Sequence, residues 1–196
     1  MNKLALITFL AIGTNAFGQP TVKNAKSPKE FVPARYVVFQ KIQGDLNGDN
    51  QSDYVLIIKG TDKDKFVTHE YRGKLDRNRR GIIIALSKQN GYEMALENRN
   101  CFSSENEEGG VYYAPELDVS VEKGALRVHY AHGRYGYWTY IFRYHNSNFE
   151  LIGYDESQNR GPVVERSTSI NLMTKKVQIK ENVNENAEGG DERFKE

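Results

Sequence analysis

Apolar residues in this chain come in short, separated runs and not at helical spacing. Tyr36-Val37-Val38-Phe39 and Tyr54-Val55-Leu56-Ile57-Ile58 are rich in β-branched and aromatic residues. Both predict strands, and the unbroken apolar character of the second predicts burial on both faces. Gly60 to Lys65 reads as a polar turn, Phe66 to Tyr71 as a short strand, and Arg72 to Arg80 as a charged loop. Ile82-Ile83-Ile84-Ala85-Leu86 predicts a third firm strand. Gln89-Asn90-Gly91 signals a hairpin, because Asn and Gly tolerate positive φ, and Tyr92 to Leu96 returns.

Asn98 to Gly110 reads as a long polar loop. Alternation then resumes in Leu117–Glu122, Leu126–Tyr130, Tyr137–Tyr144, Phe149–Tyr154, Ser167–Leu172 and Lys176–Ile179, each pair separated by turn-forming residues. The total is about ten strands with turns every 8–12 residues, the pattern of an all-β chain. The expected architecture is an antiparallel meander or sandwich, or open blade-like sheets. It is too short for a closed propeller, which needs four-stranded blades repeated about four to eight times.

The two ends follow other rules. Lys3, the apolar run Leu4 to Ile12 and the small residues Ala16 and Gly18 form the charged, apolar and cleavage regions of a secretory signal peptide over residues 1–18. The apolar run is far shorter than the about 20 residues that span a bilayer. The expected protein is therefore exported, periplasmic or extracellular, without membrane insertion of the mature chain. Residues 19–33 read as a linker, 34–181 as a β domain, and 182–196, rich in Glu, Asn and Gly, as a disordered tail.

Composition narrows the class further. Twelve Tyr, nine Phe and one Trp are too many aromatic residues for a disordered chain. Lys plus Arg number 27 against 26 Asp plus Glu, so bulk charge gives no argument for nucleic acid as a partner. The single cysteine, Cys101, excludes an internal disulfide framework and a cysteine-based zinc cluster, and reads as a buried, inert thiol. An intermolecular disulfide is the alternative.

One segment carries chemistry. Residues 44–58 read GDLNGDNQSDYVLII. Asp45, Asn47, Asp49 and Asp53 place oxygen side chains at short intervals, and Gln51 between them offers a backbone carbonyl. Such a donor set suits Ca²⁺, a hard cation that takes 6–8 oxygen ligands at about 2.3–2.6 Å. An EF-hand needs a bidentate Glu at loop position 12 and flanking helices; here position 12 is Leu56, inside an apolar run. The segment instead resembles the calcium loops of FG-GAP and VCBS repeat proteins, in which an acidic loop leads into a buried strand. Asn50 stands where those loops usually carry Gly. The alternative reading is a metal-free hairpin held by Asx-turns.

Weaker signals stand beside it. Trp138, Tyr140, Phe142 and Tyr144 share one face of a strand, either a core face or a platform for stacking on sugar rings. His129 and His132 fall on opposite faces and make a poor zinc pair. Lys74, Arg77, Arg79 and Arg80 form a basic run interrupted by Asp76. No nucleophile or zinc-protease motif appears. The expectation is a non-enzymatic protein with one structural calcium loop and an unknown protein or glycan partner. Its alternatives are a carbohydrate-binding module and a hydrolase whose carboxylates the spacing does not reveal.

Overall fold

A computed structural model describes residues 24–107 and 115–195. The leader expected over 1–18 lies outside the described residues. In chain order the strands are β1 (Asn24–Ala25), β2 (Tyr36–Gly44), β3 (Asp53–Gly60), β4 (Phe66–His69), β5 (Gly73–Asp76), β6 (Arg80–Lys88) and β7 (Gly91–Phe102). The second half supplies β8 (Glu116–Glu122), β9 (Ala125–Ala131), β10 (Gly136–His145), β11 (Asn148–Arg160), β12 (Val163–Asn171), β13 (Lys176–Asn182) and β14 (Phe194–Lys195). All pairings are antiparallel and no sheet closes into a barrel. The chain is all-β with open sheets, as its pattern predicts. Among the described residues no helix is long and apolar enough to cross a membrane.

The first sheet runs β1-β7-β6-β3-β2 and the second β14-β13-β12-β11-β10-β9-β8, while β4 and β5 pair alone. Between the two large sheets, Val55, Ile57, Ile82, Ile84 and Leu86 meet Val119, Leu126 and Val128. The opposite face of the first sheet, with Leu56, Ile58, Ile83, Ala85 and Met94, is covered by Phe31 and flanked by Val32, Tyr36 and Tyr92. This is why the run Val55 to Ile58 is apolar at every position: it is buried from both sides.

The structure corrects four readings of the sequence. Residues 24–33 are not a free linker: β1 adds to the edge of β7, and the 3₁₀ turn Pro28–Phe31 presses Phe31 into the core. The charged stretch after Arg72 contains β5, because Leu75 turns inward to burial. The polar segment from Asn98 continues β7 as far as Phe102, which is buried in the inter-sheet core. The described part of the tail is folded. The Asn182 side-chain oxygen accepts the amides of Asn184 (2.9 Å) and Arg193 (3.1 Å), Ala187 is buried, and β14 pairs with β13. Hydrogen bonds from polar side chains order this turn, a source of structure that hydrophobic patterning does not register.

A buried polar knot joins the β4–β5 hairpin to the first sheet. Lys59, at the end of β3, bonds Asp76 (2.8 Å) and Glu105, and its ammonium lies over the Phe39 ring. Asn78, itself buried, donates to the Asp62 carbonyl (2.9 Å) and to the Asp76 carboxylate (2.7 Å). Desolvation acts upward on the Asp76 carboxyl as the largest single influence. The Lys59 and Asn78 bonds together outweigh it and hold Asp76 below the usual carboxylate range. A carboxyl depressed on folding contributes stability above its unfolded value and loses it as pH falls through the folded one. We therefore expect acidification through and below the ordinary carboxylate value of 3.8 to release the hairpin first. Hydrogen exchange should show Phe66–His69 and Gly73–Asp76 losing protection ahead of β3 and β6. Simultaneous loss in all four strands would reject this order.

Candidate functional site

The acidic loop leaves β2 at Gly44 and re-enters the first sheet at Asp53. Gly44 is there for space: a Cβ would stand 2.5 Å from the Val121 Cγ1 of β8. Leu46 folds inward and is buried in the inter-sheet core, so the loop is anchored to both layers. Gly48 and Asn50 take the left-handed backbone at φ +78° and +63°. Asn50 thus performs the turn expected of the Gly usual in such loops.

The oxygen side chains hold the loop through its own amides. The two carboxylate oxygens of Asp45 accept Gly48 N–H (2.7 Å) and Asn50 N–H (2.9 Å). Asn47 Oδ1 accepts the Asp49 amide (3.0 Å), and Asp49 Oδ1 accepts the Gln51 amide (2.8 Å). The Gln51 side-chain oxygen accepts from the Ser87 hydroxyl (3.3 Å). Asp53 is fully buried and accepts the Leu46 (2.9 Å) and Ser87 (2.8 Å) amides, one on each oxygen. It ties the loop to the end of β6.

These bonds set the charges. Burial pushes the Asp53 carboxyl above the usual range against the pull of the Ser87 and Leu46 amides, and the Asp49 and Asp45 charges push the same way. For Asp45 desolvation also acts upward, but the Asn50 and Gly48 amides together hold it below that range. Among the described residues no three His, Cys, Asp or Glu side chains are gathered at metal-binding distance. The five candidates share one curled loop, but the side-chain oxygens of Asp45, Asn47, Asp49 and Asp53 are turned to amides and that of Gln51 to the Ser87 hydroxyl. Each carboxylate oxygen that accepts one amide keeps a second lone pair. Asp45, Asp49 and Asp53 therefore retain capacity for a cation, and the repulsion felt at Asp53 is what a cation would relieve.

A second feature escaped the sequence pattern. Arg80 pairs with Phe102 and Ile82 with Asn98, so Gly81 alone faces Arg99, Asn100 and Cys101. This bulge requires Gly: a Cβ on Gly81 would lie 2.3 Å from the Asn98 carbonyl oxygen. On its outer side lies a polar hollow of about 580 Å³ whose walls include Arg35, Lys65, Arg79 and Arg99. Two of these are pinned: Arg79 donates Nε and Nη2 to the Asn100 carbonyl, and Arg99 pairs with Glu97. On its inner side an apolar cleft of about 330 Å³ opens between the two large sheets. Cys101, on the rim of this cleft, is exposed and not buried as its type suggests, because the bulge lifts it off the ladder. Desolvation by its apolar surroundings nevertheless pushes the thiol up to about 11.

The aromatic hairpin divides. Phe142 and Tyr144 pack on the inter-sheet core, whereas Trp138 is half-buried, its ring 3.7 Å from that of His132. Tyr140 is 37 % exposed and leans on Tyr154. Of the two readings, core face or open platform, neither holds for the whole face: it divides into a core half, Phe142 and Tyr144, and a more open half, Trp138 and Tyr140. His129 bonds Thr139 (2.8 Å) and stacks on Tyr137, away from His132. Comparison with known proteins finds no matching family model, no similar curated protein and no similar solved structure.

Proposed function

We propose that this is an exported, non-enzymatic β protein whose loop from Asp45 to Asp53 holds a structural calcium ion, and which binds a partner at the cell envelope or outside the cell. The observation that carries the metal reading is the buried Asp53 carboxylate, pushed upward by burial and further by the Asp49 and Asp45 charges, and set in one curl with left-over lone pairs on all three. A divalent cation in the curl would turn that repulsion into attraction and lock a loop anchored in both sheets. The ion's role in this reading is mechanical, since Leu46 and Gly44 tie the loop to the core and not to an open cleft. The resemblance to FG-GAP and VCBS loops points the same way, and an oxidising, calcium-rich exterior suits a weak site of this kind.

The test is thermal unfolding with and without calcium. Extracellular sites with Kd of about 10⁻⁴–10⁻³ M at about 10 mM calcium give about 1.4–2.7 kcal/mol by mass action. That is a rise in Tm of roughly 3–10 °C for a domain of this size. Asp49→Ala should abolish most of the rise while leaving calcium-free stability nearly intact, because Asp49 is exposed and holds only a local turn. A Tm that calcium leaves unmoved in both proteins defeats the calcium reading and leaves the Asx-turn hairpin.

A further inference from the structure

We propose that the cleft between the two sheets is a binding site for a small neutral amphiphile, one apolar chain ending in an uncharged hydrogen-bonding group. Ile82 and Leu96 form one wall; Leu126, Val128, Phe142 and Phe149 form the other. Its volume of about 330 Å³ falls at the small end of the about 300–1,000 Å³ typical of small-molecule sites. Protein interiors pack closely, so an open space between the buried Ile82, Leu126 and Val128 and the half-buried Leu96, Phe142 and Phe149 is apolar surface without a partner.

The lining fixes the ligand's chemistry. Among the described residues no ionised side chain lines the cleft. A charged ligand buried there would have no counter-charge. A sugar would need several convergent polar groups. The polar atoms on offer are few, and the Tyr130 hydroxyl already interacts with Ser103. What remains is the Asn98 amide at the rim, whose Oδ1 accepts the Asn100 amide (3.2 Å), beside the Cys101 thiol. Both belong to the bulge that Gly81 admits. The exposed Tyr140 and Cys101 place the mouth at that same rim. The bulge therefore opens the sandwich at one end and leaves only uncharged hydrogen-bonding groups, those of Asn98, Cys101 and Tyr140, at the opening.

This inference deepens the binding role proposed above and rests on it, but it does not depend on the calcium loop. The experiment is a fluorescence titration of the full chain with N-phenyl-1-naphthylamine, a neutral apolar probe, with calcium and again with a chelator. We expect saturable binding at one site per chain, displacement by 1-decanol and no displacement by glucose or decyltrimethylammonium. Cys101→Trp, which fills the mouth from an exposed position, should weaken binding at least tenfold, as should Val128→Phe, which fills the interior. The first variant carries the test if the second fails to fold. Absence of saturable binding overturns the proposal. So does binding that Cys101→Trp leaves unchanged, which would place the probe on the exposed apolar residues of β13. Displacement by glucose overturns it in favour of a glycan site. Probe binding that survives chelation, in a protein whose Tm ignores calcium, would sink the calcium reading and leave the cleft standing.

Discussion

Asp53→Ala is expected to destabilise the protein by about 2–4 kcal/mol, since hydrogen bonds to charged groups contribute about 1.5–3 kcal/mol each and the abandoned amides lose their partners in a buried place. Both oxygens of Asp53 are used, by Leu46 on the loop and Ser87 on β6, and the residue is fully buried. The cost is offset in part, because the substitution also removes a carboxylate that is poorly solvated and repelled by Asp49 and Asp45. Even so, both donors lose their acceptor, the Leu46 amide in a buried place and the Ser87 amide in a half-buried one. The expected drop in Tm is about 4–16 °C at roughly 2–4 °C per kcal/mol. Asp53→Asn should recover only part of the loss, since one amide would then face an NH₂ group. Thermal unfolding of both variants in chelator checks this free of any metal. If Asp53→Ala melts with the wild type, Asp53 is not the fastening between loop and sheet.

Gly81→Ala is expected to cost about 3 kcal/mol, the upper part of the range for forcing atoms into a packed region. The added Cβ would meet the Asn98 oxygen at 2.3 Å and the Arg99 backbone at 2.6 Å. These are main-chain atoms, so no side chain can swing away to make room. The bulge must therefore leave the ladder or flatten. Loss of amide protection should centre on Asn98 to Phe102 and on the Arg80–Phe102 pair, with the β3–β6 pairing kept. A variant that melts normally and keeps protection at Phe102 would show that the bulge is not sterically imposed.

The sequence pattern carried the strands well wherever one face is apolar. The run from Tyr54 to Ile58 announced both its strand and its burial on two sides. The acidic loop was also visible, down to the positive φ of Asn50. What the pattern hid follows from its own basis. β5 and the far end of β7 contribute one inward residue each, Leu75 and Phe102, among charged neighbours. The folded tail depends on Asn and Asp side chains bonding amides, and such residues look the same in disordered chains. The β7 bulge rests on a glycine between a basic run and an apolar one, where only the opposing backbone shows its purpose. The aromatic hairpin failed differently: its alternation was right, but alternation does not tell where the facing sheet ends.

The strand order of the second sheet bears on how the chain reaches this state. From β8 to β14 every strand lies beside its immediate predecessor. Each pairing therefore closes only a short loop, and the entropy of closure is met in small steps. The first sheet differs, because Asn24 in β1 must find Glu93 in β7 after the whole intervening hairpin set exists. The meander can zip up by local moves, whereas the edge strand arrives last. The packing of one sheet on the other around Leu46 is, by contrast, a long-range contact that no local strand pairing supplies.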